Sequence, residues 1–199
     1  MQSKILSRRT LLIVILTGFA LSLALFLDLF PQSLNLPVGR QVESASLTQQ
    51  ASYGLPVRLK IPRINVDSAV EYVGLTSQGA MDIPKNPADV AWFNLGPRPG
   101  EKGSAAISGH YGWKNNIPAV FDNLYKLQKG DKLYVEDGKG VTTTFVVRES
   151  RRYDPNADAS DVFGSSDGKI HLNLITCEGV WDKVSKTYSK RLVVFTDKE

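Results

Sequence analysis

Three kinds of residue in this chain are scarce enough, or placed so, that they could carry covalent chemistry: the single cysteine Cys177, the two histidines His110 and His171, and Arg191 at the head of an apolar run. Cys177 closes the strand-like run Ile170-His171-Leu172-Asn173-Leu174-Ile175-Thr176-Cys177, after which the chain breaks at Glu178-Gly179. A thiolate at a strand end is a candidate nucleophile for acyl transfer. The alternative is a small buried core residue, since free cysteines are often fully buried. Proton transfer needs a partner within about 3 Å or one bridging water. Six residues of strand span about 20 Å, so His171, on the run that carries Cys177, is out of reach. His110 remains. It ends the run Ser104-Ala105-Ala106-Ile107-Ser108-Gly109-His110 and leads into Tyr111-Gly112-Trp113, a loop that could wall a pocket. By residue type alone, it is equally an ordinary loop histidine.

Arg191 opens Arg191-Leu192-Val193-Val194-Phe195-Thr196, fourteen positions after the cysteine. Attack of a thiolate on a carbonyl builds an oxyanion, and a fixed cationic donor aimed at it lowers the barrier by several kcal/mol. The same charge favours the thiolate over the thiol. Lys190, Arg148, Arg151 and Arg152 compete for this role, and spacing does not separate them.

The elements that must position these residues are short. From Pro56 onward, alternating or apolar runs are broken by Gly, Pro, Asp and Asn, which predicts an all-β domain. Strands are expected near Val57–Ile61, Ala69–Val73, Ser104–Gly109, Lys132–Glu136, Thr142–Arg152, Lys169–Thr176 and Arg191–Thr196. A hairpin turn is expected at Asp137-Gly138-Lys139-Gly140, and the spacing of Phe121, Leu124, Tyr125 and Leu127 predicts a short helix. Seven or so strands in this length fit a closed or nearly closed barrel, with a sandwich as the alternative.

Ahead of that domain, residues 1–10 are basic and 11–30 carry the uncharged run LLIVILTGFALSLALFL. About twenty apolar residues cross a bilayer, and the positive flank stays cytoplasmic. The expectation is a single-pass anchor at the cell membrane, with the N-terminus cytoplasmic and the rest of the chain outside the cytoplasm. A cleaved signal peptide is the rival, but the apolar stretch is long and no small-residue cleavage site follows closely. Residues 31–54 read as a polar linker and 55–199 as one domain of ordinary size. Outside the cytoplasm an unpaired cysteine needs a reason other than disulfide structure. The net charge of +4 is spread thinly, with no basic run interleaved with aromatics, which argues against nucleic acid as a partner.

Leu174-Ile175-Thr176-Cys177, the upstream Gly109-His110 pair, and Arg191 opening a terminal apolar strand together resemble the sortases, membrane-anchored cysteine transpeptidases of the bacterial surface. The family pattern before the cysteine is Thr-Leu-x-Thr-Cys. Asn173 stands here in place of the first Thr, a departure expected to bear on packing rather than chemistry. The segment Ala91 to Ser104 is similar to one found in sortase classes D, E and F. The resemblance runs from about Leu55 to Thr196.

It implies a mostly antiparallel eight-stranded β-barrel with one or two short helices, preceded here by the transmembrane helix. It implies that Cys177 attacks the Thr-Gly bond of a Leu-Pro-x-Thr-Gly-like sorting signal near the C-terminus of a secreted protein. His110 would serve as acid and base and Arg191 would hold the carbonyl oxygen or the substrate Thr. Thr176 would help position the substrate, and the segment from Tyr153 to Gly168, with Val162 and Phe163 as an apolar wall, would recognise the motif. The acceptor would be a peptidoglycan precursor or another amine. No cofactor and no metal site is expected; four Asp residues in that segment follow no EF-hand spacing. The chain ends three residues after Thr196, and Asp154-Pro155-Asn156 falls after His110, so a wall-anchoring enzyme of class F or E is expected over a pilus polymerase. Two rivals predict different structures. A papain-like peptidase that hydrolyses would carry its nucleophile on a helix, and a noncatalytic wall-binding β-domain would scatter Cys177, His110 and Arg191.

Overall fold

The structure, a computed structural model, describes residues 53–113 and 117–199. The expected span at 11–30 and most of the linker lie outside the described residues. No helix among those described is long and apolar enough to cross a membrane.

Eight strands close into a barrel in the order β1-β2-β3-β4-β7-β8-β6-β5. They are β1 (Pro56–Ile61), β2 (Val66–Val73), β3 (Val90–Phe93), β4 (Gly103–Gly109), β5 (Lys132–Asp137), β6 (Thr142–Tyr153), β7 (Ile170–Asp182) and β8 (Thr187–Lys198). Neighbours are antiparallel except β2 with β3 and β4 with β7. The barrel expected from the sequence is therefore present, and the sandwich is not. Leu59, Ile61, Val90, Ile107, Leu133, Phe145, Leu172, Leu174 and Val194 fill the interior, and each large apolar side chain buried there contributes about 1.5–3 kcal/mol. Alternation on β7 sends Leu172 and Leu174 inward and Asn173, Ile175 and Cys177 outward.

Two sequence expectations are corrected. The four-residue β3 was not anticipated: Val90-Ala91-Trp92 is buried throughout, so it lacks the alternation that marks a half-buried strand. The chain also does not break at Glu178-Gly179. Gly179 adopts φ +90°, the pairing register shifts between Glu178 and Trp181, and β7 runs on to pair Trp181 with Tyr188. Such a bulge re-aims a strand without ending it.

Among the described residues helix is sparse: single 3-10 turns at Pro62–Ile64 and Leu124–Lys126, the latter within the expected helix, and one α-helical turn, α1, at Ser160–Phe163. α1 lies in the segment joining β6 to β7. Its Val162 packs with Val193 and Phe195 in a second cluster on the outer face of the barrel, against Tyr153, Ala159 and Ile175.

Candidate active site

Cys177 and Arg191 face each other across the antiparallel pair β7–β8. Ile175 and Val193 are the preceding pair on the same face. That common face is the outer one, where both meet the cluster around α1.

β4 brings the histidine. It runs parallel to β7 with Ile107 opposite Leu174 and Ser108 opposite Ile175. One residue on, the buried Thr176 hydroxyl donates to the Gly109 carbonyl at 2.8 Å. The next residues, His110 just past the end of β4 and Cys177 within β7, thus lie level on adjacent strand paths. The His110 Nε2 lies 2.7 Å from the Pro84 carbonyl. A carbonyl can only accept, so Nε2 carries a proton and Nδ1 is left to exchange one. The ring also meets Trp113 edge-on at 4.5 Å. The Asp122 carboxylate accepts from the Gly112 and Ala119 amides at 2.7 and 2.9 Å, and the Phe121 amide donates to the His110 carbonyl at 3.0 Å. Together these bonds hold the backbone that leaves β4.

Burial pushes the Cys177 thiol up from its ordinary pKa, and the Arg191 charge pulls it partly back. The resting group is therefore a thiol beside a fixed cation. The competing cations are committed elsewhere: Arg148 to Asp197 at 2.8 Å, Arg151 to Asp161 at 2.8 Å, Arg152 to Glu178 at 2.6 Å and Lys190 to Asp154 at 2.5 Å. Arg191 instead donates to neutral oxygens, the Tyr188 and Lys190 carbonyls at 3.1 and 3.0 Å and the Thr187 hydroxyl at 2.9 Å. These fix the guanidinium without neutralising it, which separates it from the cations that spacing left open.

From Arg191 a groove of about 490 Å³ runs over the outer face, walled by Ile175, Val193, Val162 and Phe163, and on its far side by Phe93 and Met81. The Phe163 ring meets Phe93 edge-on at 5.5 Å. The size suits a mostly apolar ligand pocket. Thr176 lies elsewhere: it is 3 % exposed and its hydroxyl is spent on Gly109, so it holds β7 and β4 in register rather than facing the groove. His171 is on β7 with Cys177, buried between Asp197 and Asp167 at 2.7 and 3.1 Å. Sequence reasoning missed Pro84, Asp122, Tyr188 and the Leu75–Met81 wall. For the wall, the signal was available in exposed apolar residues within a turn-rich segment; for the others, which act through backbone contacts and packing, there was none.

The sortase-domain family model matches residues 59–199. Among solved structures the chain is similar to sortase C-1 from Actinomyces oris, at 25 % identity over 71 % of this chain and 72 % of that one, with TM-score 0.56. It is also similar to Streptococcus agalactiae sortase C1 in complex with MTSET, at 25 % identity over 71 % and 66 %, with TM-score 0.55. A sortase D5 transpeptidase from Clostridium perfringens shares the fold at 22 % identity over 73 % and 79 %, with TM-score 0.54. No curated protein sequence matches. The chain belongs to the sortase family, whose members are cysteine transpeptidases, and is an enzyme acting on peptide bonds.

Placement of Cys177 on a strand removes the papain-like reading. The pairing of Cys177 with Arg191 runs against the noncatalytic one.

Proposed function

We propose that this sortase cleaves a Leu-Pro-x-Thr-Gly-like signal between Thr and Gly and passes the Thr acyl group to a cell-surface amine. The observation that carries this reading is the cross-strand pair of Cys177 and Arg191 at the end of the apolar groove, with His110 level on the adjoining strand.

The Cys177 thiolate attacks the Thr carbonyl carbon, and the electron pair moves to oxygen, where Arg191 donates. Collapse breaks the C–N bond, and the glycine amine leaves with a proton from imidazolium His110. The product is a Cys177 thioester. An incoming amine gives its proton to His110, attacks the thioester carbonyl, and expels the thiolate with a new amide bond formed. Burial favours the thiol while attack needs the thiolate, and the Arg191 charge beside Cys177 offsets part of that cost. Val162 and Phe163 supply an apolar wall for the signal peptide. The amine is a peptidoglycan precursor or a related surface group, and secreted proteins bearing the signal are the donors. The apolar run at 11–30 supports a single-pass anchor with an extracytoplasmic domain at the cell membrane.

Mass spectrometry of the purified full-length protein with a Leu-Pro-x-Thr-Gly peptide library, with and without an amine, tests the reading. A Cys177-linked acyl adduct lacking the glycine fragment is expected, giving an amide when amine is present and no adduct in Cys177→Ala. Absence of an adduct with every peptide, despite a free, folded thiol, would overturn it.

A further inference from the structure

The outward residue four positions before the nucleophile, Asn173, is almost wholly buried at 1 % exposure. Its Nδ2 donates to the Val162 main-chain carbonyl at 2.7 Å, while its Oδ1 is buried with no hydrogen-bond partner among the described residues. Leaving an acceptor unmet in the interior costs about 1–3 kcal/mol. An apolar side chain of similar shape would avoid that cost, so what the amide accomplishes here is the bond to Val162.

That bond falls on a weak element. α1 is a single turn, and an isolated turn is unstable because nucleation fixes several residues for one hydrogen bond. Within it the Val162 amide donates to the Ala159 carbonyl and the Gly164 amide to the Ser160 carbonyl. The Val162 carbonyl belongs to the last turn, which has no intrahelical donor. Asn173 supplies one from the barrel wall. α1 also divides two spaces: Val162 and Phe163 line the apolar groove on one side, and Gly164 to Asp167 line a polar hollow of about 170 Å³ on the other, with Asn173 and His171 at its floor.

From this we infer that Asn173 is a positioning residue for substrate. By pinning the Val162 carbonyl to β7 it sets α1, and with it Val162 and Phe163, at the depth the groove needs, so that the incoming peptide meets a preformed wall. The role rests on the proposed peptide reaction. A threonine at this position ends one bond shorter and cannot reach the carbonyl without moving α1, and an aspartate would set a carboxylate against it. Without the bond, the peptide must order α1 as it binds, which raises KM. Cys177 lies four residues further along β7, where pairing with β8 and the Thr176 bond to Gly109 hold the strand independently of α1, and Arg191 and His110 stand on β8 and just past β4, so kcat is spared.

The test compares full-length wild type, Asn173→Thr and Asn173→Asp in steady-state turnover of the best Leu-Pro-x-Thr-Gly peptide, alongside iodoacetamide labelling of Cys177 and hydrogen exchange at residues 160–164. In Asn173→Thr, KM is expected to rise about tenfold, the factor one lost hydrogen bond carries, with kcat changed less than about twofold. The labelling rate should stay at the wild-type value, and exchange should quicken in α1 but not in β7. Asn173→Asp should show the same pattern more strongly. An active wild type with unchanged KM in Asn173→Thr overturns the positioning role alone, as does a fall in kcat at constant KM. A wild type that turns over no peptide overturns the proposed function and this inference with it.

Discussion

Cys177 and Arg191 sit directly opposite each other in the β7–β8 register, and the arginine is the charge that offsets the effect of burial on the thiol. Removing that cation favours the neutral thiol. In Arg191→Ala the midpoint of iodoacetamide labelling against pH should therefore move upward, and Arg191→Lys should move it less. Loss of an oxyanion donor typically lowers turnover by about 10²- to 10³-fold. Arg191→Ala should fall in that range in acyl-enzyme formation, and lysine should restore little, because it lacks the guanidinium fork that holds to Thr187 and the Tyr188 carbonyl.

Thr176 and the Gly109 carbonyl join β7 to β4 where the nucleophile and histidine follow. Thr176→Val keeps the shape and removes the donor. With the buried carbonyl left unmet, the barrel should lose about 1–3 kcal/mol in denaturant unfolding. Acylation should fall as well, since His110 and Cys177 depend on that register. Unchanged stability would mean the carbonyl finds another donor.

Gly112 takes φ +61°, and a Cβ built there would stand 2.5 Å from the Tyr188 hydroxyl. Gly112→Ala should cost about 1–2 kcal/mol for the left-handed backbone, with a further cost for displacing Tyr188. Tyr188→Phe removes the oxygen in the way. In a double-mutant cycle of thermal unfolding, the pair should then cost less than the sum of the single changes.

Asp167 is held well below the usual carboxylate range by the Ser165 hydroxyl, the Lys169 amide and His171. A carboxyl with a lowered folded pKa contributes stability in full above its unfolded value near 4 and loses it as pH falls through the folded value. The difference in thermal midpoint between wild type and Asp167→Asn should be present in full at about pH 7 and shrink progressively as pH falls below about 4. A difference that persists in acid would assign it to shape rather than charge.

What could be read along the chain was what local order encodes. Seven of the eight strands and the turn at Asp137–Gly140 follow from residue type and short-range period, because strand pattern and turn chemistry are local properties; residue type also named Cys177 and His110 as candidates, but left Arg191 among five cations. β3 escaped because a four-residue strand whose first three residues are all buried has no alternation to detect. Gly179 was misread as a stop because a bulge and a break share the same glycine.

The sequence by itself determined which side chains were available for thiol chemistry, and that each borders an apolar strand-like run. Only the tertiary structure decided that those runs lie side by side. The parallel pairing of β4 with β7 joins segments 67 residues apart, and nothing in either strand names its neighbour. The fold also sets Arg191 apart from four other cations, by tying those to carboxylates and surrounding this one with neutral oxygens. Thr176 was turned from the groove into the barrel wall, and Asn173 was set beneath α1. These outcomes depend on contacts between residues distant in the chain, whose energies exist only once the barrel has closed.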